Sequence, residues 1–113
     1  MPAAIPPSRT LGRRLREARQ ARGMTQAELG AALGLEDENS AAPRISRYER
    51  GDRMPDEKTM EALAEKLGLP VAYFHATSDI LAEVILVVSQ LPASKQKAAL
   101  EHLRQMADKA TKR

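Results

Sequence analysis

Residues 24–34 carry a complete set of start and stop signals for one short helix. Thr25 and Glu28 have the spacing of a capping box, in which the hydroxyl and the carboxylate each accept a backbone N–H at the helix start. Met24 and Leu29 flank that start at the spacing of a hydrophobic staple. Gly34 then offers the left-handed conformation in which many helices end. Local chemistry alone therefore predicts both ends of this helix.

A second short helix is predicted to end at Gly51. Pro43 suits its first turn, where a residue needs no N–H for a helical hydrogen bond, and Ile45 and Tyr48 point to one side. Two short helices joined by a turn form a helix-turn-helix, whose second helix commonly enters the major groove of DNA. The polar side chains that this arrangement exposes are Gln26, Arg44, Ser46, Arg47 and Arg50.

Five motifs in a fixed order resemble the lambda repressor–Cro-type (Xre) family of DNA-binding domains: TLGRRLREAR, GMTQAELGAALGL, ISRYERG, RMPD and LAEKLGLPVAYF. The resemblance covers residues 10–74. It implies an all-α, five-helix DNA-binding domain, which we place at residues 9–76. It also implies a bacterial or phage transcriptional regulator that represses by blocking a promoter, as a homodimer on a roughly palindromic operator.

Positive charge is concentrated in the half of the chain that contains this motif. Residues 8–55 contain ten Arg, no Lys and seven acidic residues, whereas residues 56–113 contain eight basic and eight acidic residues. Arg binds phosphate and guanine through paired N–H groups. A solvated, Arg-rich helix would have the same composition, but the position beside a helix-turn-helix favours double-stranded DNA as the partner.

Roles for individual side chains follow from the way a helix-turn-helix docks, with its second helix in the groove and the preceding elements over the DNA backbone. The predicted base-reading residues are Arg44, Arg47 and Ser46. The predicted backbone contacts are Gln26, Arg50 and Arg53, with Arg13 and Arg14 extending the positive surface.

Arg19 lies near the apolar side of the first predicted helix. In the resembled family an Arg at this position pairs with a Glu near the end of the recognition helix, and here that residue is Glu49. A buried pair would set the angle between the first and third helices, although such pairs are weak evidence for stability. The alternative is two separate, exposed charges.

The turn before the recognition helix is longer than the family pattern. Ten residues separate Gly34 from Ile45, and the extra segment, residues 36–40, contains three acidic residues. Acidic side chains are unfavourable near phosphate, so we expect this segment to turn outward, with Asn39 or Ser40 capping the recognition helix. A solvated loop with no special role is the alternative. The insertion also leaves the register at the front of the recognition helix open.

Three further helices complete the predicted domain, and a tail precedes it. Residues 1–8 are Pro-rich and are predicted to be a disordered tail. Residues 9–22 form the first helix, with a core stripe of Leu11, Leu15 and Ala18. Asp56 caps the fourth helix, whose apolar face consists of Met60, Leu63, Ala64 and Leu67. A short fifth helix, residues 71–75, closes the core with Val71 and Phe74.

Residues 77–113 lie outside the resemblance and are predicted to form a helical hairpin. Ser78 or Asp79 caps a sixth helix that is apolar almost all round, and a seventh follows Pro92, with residues 110–113 fraying. A helix of this kind must be covered on more than one side, which favours a homodimer over packing within the monomer. The predicted interface residues are Ile80, Leu81, Val84, Ile85, Val88, Leu100 and Leu103.

Several classes of function find no support in the sequence. There is no cysteine, which excludes disulfides and thiolate metal sites, and no Gly-rich phosphate loop, metalloprotease motif or nucleophile elbow. His75 and His102 lie on different predicted helices without companion ligands. We therefore expect no enzyme activity, no cofactor and no metal. The Pro-rich start and the short apolar runs predict no signal peptide and no membrane span, hence a cytoplasmic protein.

Two other functions remain open at this stage. An antitoxin of the same fold would bind DNA but act mainly by neutralising a partner toxin, and would regulate its own operon. An adaptor would bind protein only. The sequence names neither the operator nor a protein partner such as a toxin or antirepressor.

Overall fold

The computed structural model describes residues 7–34 and 38–111. Within these residues the chain forms seven α-helices and no strand, which confirms the all-α prediction. A single turn of 3-10 helix, Ala31–Leu33, follows the second helix. The helices are α1 Pro7–Ala21, α2 Gln26–Gly30, α3 Glu38–Arg50, α4 Glu57–Leu67, α5 Val71–His75, α6 Asp79–Ser89 and α7 Ala93–Thr111.

The predicted capping chemistry is present at the starts of α2, α4 and α6. The Glu28 N–H donates to Thr25 Oγ1 at 3.0 Å, and the Thr25 N–H donates to Glu28 Oε1 at 3.1 Å, which completes the capping box. Asp56 caps α4 and Ser78 caps α6, each through one backbone N–H three residues on. These contacts satisfy N–H groups that have no partner within the helix.

The hydrophobic core is built by α1 to α5. Its buried side chains come from the apolar stripes of the sequence, and burial of each Leu, Ile, Met or Phe contributes on the order of 1.5–3 kcal/mol. Met24 and Val71 pack against this cluster at its edge. The core residues are Leu11, Leu15, Ala18, Leu29, Ile45, Tyr48, Met60, Leu63, Ala64, Leu67 and Phe74.

Two glycines allow α3 to approach its neighbours closely. A Cβ added to Gly12 of α1 would lie 2.5 Å from the carbonyl oxygens of Tyr48 and Glu49. A Cβ added to Gly30 of α2 would lie 2.6 Å from the Cβ of Ala41. Real Cβ atoms are not found this close to other heavy atoms, so the small residues fix how deeply α3 sits between α1 and α2.

The start of α3 differs from the prediction. The helix begins at Glu38, so neither Asn39 nor Ser40 is its cap, and Pro43 lies in its second turn. Proline costs one helical hydrogen bond there but has a helical φ. Ala41 and Ile45, on either side of it, are both buried on one face of α3. This packing holds the helix through the proline, and residues 35–37 lie outside the described part of the chain.

Four other boundaries also differ slightly. Helix α2 ends at Gly30 and not at Gly34, although Gly34 has the predicted left-handed conformation at the end of the 3-10 turn that follows. Helix α1 begins at Pro7, so the predicted disordered tail is wrong for residues 7 and 8, and its first six residues lie outside the described range. The same helix ends at Ala21, one residue before the predicted end. Helix α7 continues to Thr111, past the predicted fraying point at Ala110.

The hairpin of α6 and α7 leaves most of its apolar surface uncovered by the rest of the described chain. In α6 only Ala82 is buried, in α7 no described residue is buried, and Ile80 is 81% exposed. An apolar groove of about 550 Å³ runs between the two helices, and its apolar lining residues are Ile80, Val84, Val87, Val88, Leu91, Ala99 and Leu103. No helix among the described residues combines the length and apolar character needed to cross a bilayer.

Candidate nucleic-acid interface

Helix α3 presents one face to solvent and buries the other. Its buried side chains are Ala41, Ile45 and Tyr48, and the helix packs against α1 and α2. The opposite face contains residues spaced by three and four, which brings them into one line along the helix. These exposed residues are Ser40, Pro43, Arg47 and Arg50.

The predicted base-reading residues occupy different places on this face. Arg47 is exposed and lies near its middle, whereas Arg44 and Ser46 are partly buried and lie at its two edges. Because α3 begins at Glu38, these residues sit in its second and third turns and not at its front.

An ion pair between Arg19 and Glu49 ties α3 to α1. Arg19 donates from Nε to Glu49 Oε2 at 2.6 Å and from Nη2 to Oε1 at 3.1 Å. The pair raises the pKa of Arg19 through its hydrogen bond to Glu49. The third nitrogen of the same guanidinium donates to the Met24 carbonyl at 2.8 Å. With all its nitrogens engaged, Arg19 is a structural residue that also anchors the start of α2.

Gln26 joins this network from the first turn of α2. Its Nε2 donates to Glu49 Oε1 at 3.1 Å, and its side chain is partly buried. The hydrogen bond fixes the amide beside the exposed face of α3. Gln26 therefore has a structural role in holding Glu49, in addition to its predicted contact with the DNA backbone.

A polar depression of about 240 Å³ lies over the Arg19–Glu49 pair. Its remaining lining residues come from three helices, namely Arg16, Gln26, Ser46 and Arg50. Arg16 is exposed and was missing from the residues predicted by sequence. The signal for it was available, because Arg16 precedes Arg19 by three positions and so shares its side of α1.

The sequence-based prediction that Arg14 contacts the DNA backbone is wrong. Its side chain is only 2% exposed and donates to the carbonyls of Tyr73, Phe74 and Ala76. A guanidinium enclosed by the protein has no access to phosphate. The spacing pointed to this result, since Arg14 falls on the helix side defined by Leu11 and lies in the core stripe.

Arg13 is half exposed, but two carboxylates bind it. Its Nη1 lies 3.3 Å from Glu17 Oε1, and its Nη2 lies 2.6 Å from Asp79 Oδ1. The charge of Arg13 is thus matched locally, which weakens its predicted part in a positive surface. Arg53 is exposed in the segment between α3 and α4, and Arg50 lies 3.1 Å from Asp52 in an exposed pair.

The chain is similar in sequence to known helix-turn-helix proteins. A family model described as helix-turn-helix matches residues 15–74, more than half of the chain. A solved structure described as the transcriptional regulator BswR is 40% identical, with a TM-score of 0.74, and the match covers 83% of this chain and 92% of that chain. A search of curated proteins found no match.

The match to the solved regulator is longer than residues 15–74, so it also takes in helices outside the helix-turn-helix itself. At this identity the likeness reflects more than a shared fold. The chain belongs to the lambda repressor/Cro-type (Xre) family of helix-turn-helix transcriptional regulators.

Proposed function

We propose that this regulator represses transcription as a homodimer that binds a palindromic operator through the exposed face of α3. The observation that carries the proposal is the exposed line of side chains on α3, opposite a face that is packed and held by the Arg19–Glu49 pair. A helix held in this way can present Arg side chains in one orientation to the major groove.

Arg47 is the principal base-reading residue in this proposal. It is exposed near the middle of the outer face, and its paired N–H groups match the O6 and N7 acceptors of guanine. Arg44 and Ser46, at the edges of the face, would reach bases or the flanking backbone. None of the four exposed residues that define this face is acidic, so the face itself carries no charge that would repel phosphate.

The backbone contacts are proposed at the rim of the polar depression and beyond it. Arg16, Gln26 and Arg50 all line that depression, and the amide of Gln26 is oriented by its hydrogen bond to Glu49. Arg53 is exposed in the segment that follows α3 and would add a further positive charge beyond the end of that helix. Contacts of this kind set orientation and affinity without reading sequence.

The homodimer is supported by the uncovered apolar surface of the hairpin. Contiguous apolar patches of this kind on a soluble chain mark interaction sites, and cyclic dimers are the commonest symmetric assembly. A two-fold dimer would present two copies of α3 to successive half-sites, which explains why operators of this class are palindromic. The interface residues proposed are Ile80, Leu81, Val84, Ile85, Val88, Leu100 and Leu103.

Sequencing of genomic fragments retained by the purified chain tests this function. We expect fragments that share a palindromic site, whose isolated duplex binds far more tightly than a scrambled duplex, typically by a factor of about 10³ or more. Arg47→Ala should weaken this preference, whereas Arg104→Ala, on exposed α7, should keep it. Equal binding of site and scrambled duplex by the unaltered chain would contradict sequence-specific recognition.

A second candidate is an antitoxin, in which the same groove between α6 and α7 receives a partner protein. The groove is the observation that favours it, because an apolar surface does not by itself specify a second copy of the chain. Sedimentation of the purified chain separates the two: a dimer supports the repressor, and a monomer that exposes the groove supports a protein partner.

A further inference from the structure

Arg14 is a buried cation that the DNA-binding surface does not use. Its Nη1 donates to the carbonyls of Tyr73, Phe74 and Ala76, at 3.2, 3.3 and 2.6 Å. Its guanidinium carbon also lies 6.0 Å from the centre of the Tyr73 ring. These three carbonyls belong to the end of α5 and the link that follows it. Arg14 therefore holds the backbone in place where the chain leaves the DNA-binding domain.

Asp79, the first residue of α6, completes the arrangement. Its Oδ1 accepts from Arg14 Nη2 at 3.1 Å and from Arg13 Nη2 at 2.6 Å. Two guanidinium groups of α1 therefore bind one carboxylate at the base of α6. We call Arg13, Arg14 and Asp79 the hairpin clamp.

Beyond the clamp, the hairpin is attached to the domain through the packing of α6 against α5. Ala82 is the one buried side chain described in α6, and α7 has none. Helix α6 has 11 residues and is about 16 Å long at 1.5 Å per residue. A change of about 10° at its base would displace its far end by about 3 Å, close to the 3.4 Å separation of successive bases in DNA.

We propose that the hairpin clamp sets the direction in which α6 leaves the DNA-binding domain, and thereby the spacing between operator half-sites that the dimer accepts. The second part rests on the proposed homodimeric, DNA-binding function; the first part does not. Arg13, Arg14 and Asp79 act as positioning residues in this role, since they act through the direction of α6. Half-site spacing follows from the separation of the two recognition helices in the dimer.

The first test measures the direction of the hairpin without DNA. The chain contains no cysteine, so Gln20→Cys on α1 and Lys97→Cys on α7 accept two spin labels at chosen positions. Dilution with unlabelled protein restricts the distances measured by pulsed electron resonance to those within one chain. We expect one narrow distance distribution, which Asp79→Ala broadens or shifts.

Two matched variants separate the clamp from other effects. Ser78→Ala removes the cap of the same helix but leaves the clamp, and Asp108→Ala removes an equal charge from exposed α7. Both should keep the narrow distribution. Arg14→Lys, which retains the charge but not the guanidinium fork, should behave as Asp79→Ala does. An unchanged distribution in both Asp79→Ala and Arg14→Lys overturns the proposal.

The second test measures binding to operators whose half-sites are moved apart or together by one and two base pairs. The unaltered dimer should prefer one spacing by about tenfold, and Asp79→Ala should reduce that preference to about threefold or less while half-site binding stays unchanged. A retained spacing preference overturns the link to DNA. If the label distances change but the unaltered chain binds no operator, the clamp stands and the proposed function fails.

Discussion

Arg19 of α1 and Glu49 of α3 meet through two hydrogen bonds, of 2.6 and 3.1 Å, with side chains that are 11% and 4% exposed. The pair joins residues from the two helices that also approach closely at Gly12. Close packing at Gly12 limits the distance between α1 and α3, and burial of Ile45 and Tyr48 fixes which side of α3 faces the core. The ion pair adds a polar link between the same two helices.

The first prediction concerns the coupling between these two charges. Arg19→Met or Glu49→Leu alone leaves an unpaired buried charge, which should reduce the free energy of unfolding by about 3–5 kcal/mol. The double variant should be much less destabilised than the sum of the two single variants. Denaturant unfolding of all four proteins measures this difference. The exposed pair Arg50–Asp52 is the control, with an expected coupling of about 0–1 kcal/mol, and additive losses at Arg19 and Glu49 would show that the pair is not coupled.

A second prediction separates arginines by their role at DNA. Arg47→Ala should cost about 1–3 kcal/mol of binding free energy and relax the preference at one operator position in each half-site. Arg53→Ala should weaken operator and random DNA equally, and should lower the magnitude of the salt slope by about one per lost contact. Binding to a panel of single-base operator variants at several salt concentrations measures both effects. A uniform loss across the panel for Arg47→Ala would assign this residue to the backbone.

A third prediction concerns the apolar groove of the hairpin. Ile80→Asp combined with Val87→Asp places charges in a surface that a second copy would bury without partners, so the chain should sediment as a monomer. Gln105→Asp, on a different side of exposed α7, should remain dimeric. These point changes keep Asp79 in place, whereas removal of residues 77–113 also deletes its carboxylate from the clamp. A dimer that survives the double change would place the interface elsewhere.

A fourth prediction uses the pH dependence of Asp79. Hydrogen bonds from Arg13 and Arg14 lower the pKa of this carboxyl below its ordinary value of 3.8. A lowered pKa in the folded state means that the stabilisation is complete above the ordinary value and is lost as the pH falls through the folded value. Asp79→Asn should therefore lose less stability than the unaltered chain on acidification below about pH 4.

Asp56 provides an independent comparison, since its pKa is also lowered, by hydrogen bonds from Thr59. Asp56→Asn should remove a separate part of the loss of stability at acidic pH. The changes in stability caused by the two variants should add, because the two carboxylates share no hydrogen-bond partner. Thermal unfolding across the acidic range measures both. Identical acid profiles for Asp79→Asn and the unaltered chain would contradict the inferred role of its charge.

Local signals allowed much of the fold to be predicted. The capping box at Thr25, the caps of α4 and α6 and the core stripe of α4 depend on residues only a few positions apart, so their chemistry is visible in the sequence. The ion-pair partners Arg19 and Glu49 came from the family resemblance, since residues thirty positions apart have no local signal.

The start of α3 could not be predicted in the same way. Pro43 and the polar residues before it favour a helix start by local preference, and the helix nevertheless runs through them. Tertiary packing decided the outcome, because Ala41 fills the space beside Gly30 and Ile45 enters the core. Propensity is a weak prior that such packing overrides.

By itself, the sequence determined where helices are capped, which faces are apolar and that a helix-turn-helix is present, because these depend on short-range spacing. Spacing along α1 carried a signal for the burial of Arg14, but the tertiary structure decided which groups that side chain contacts and which arginines face solvent. Arg14 and Arg47 are alike in composition, but Arg14 meets carbonyls about sixty residues away and Arg47 meets solvent. The charge of a side chain is a local property, whereas its access to a partner depends on whether distant segments of the chain fold over it.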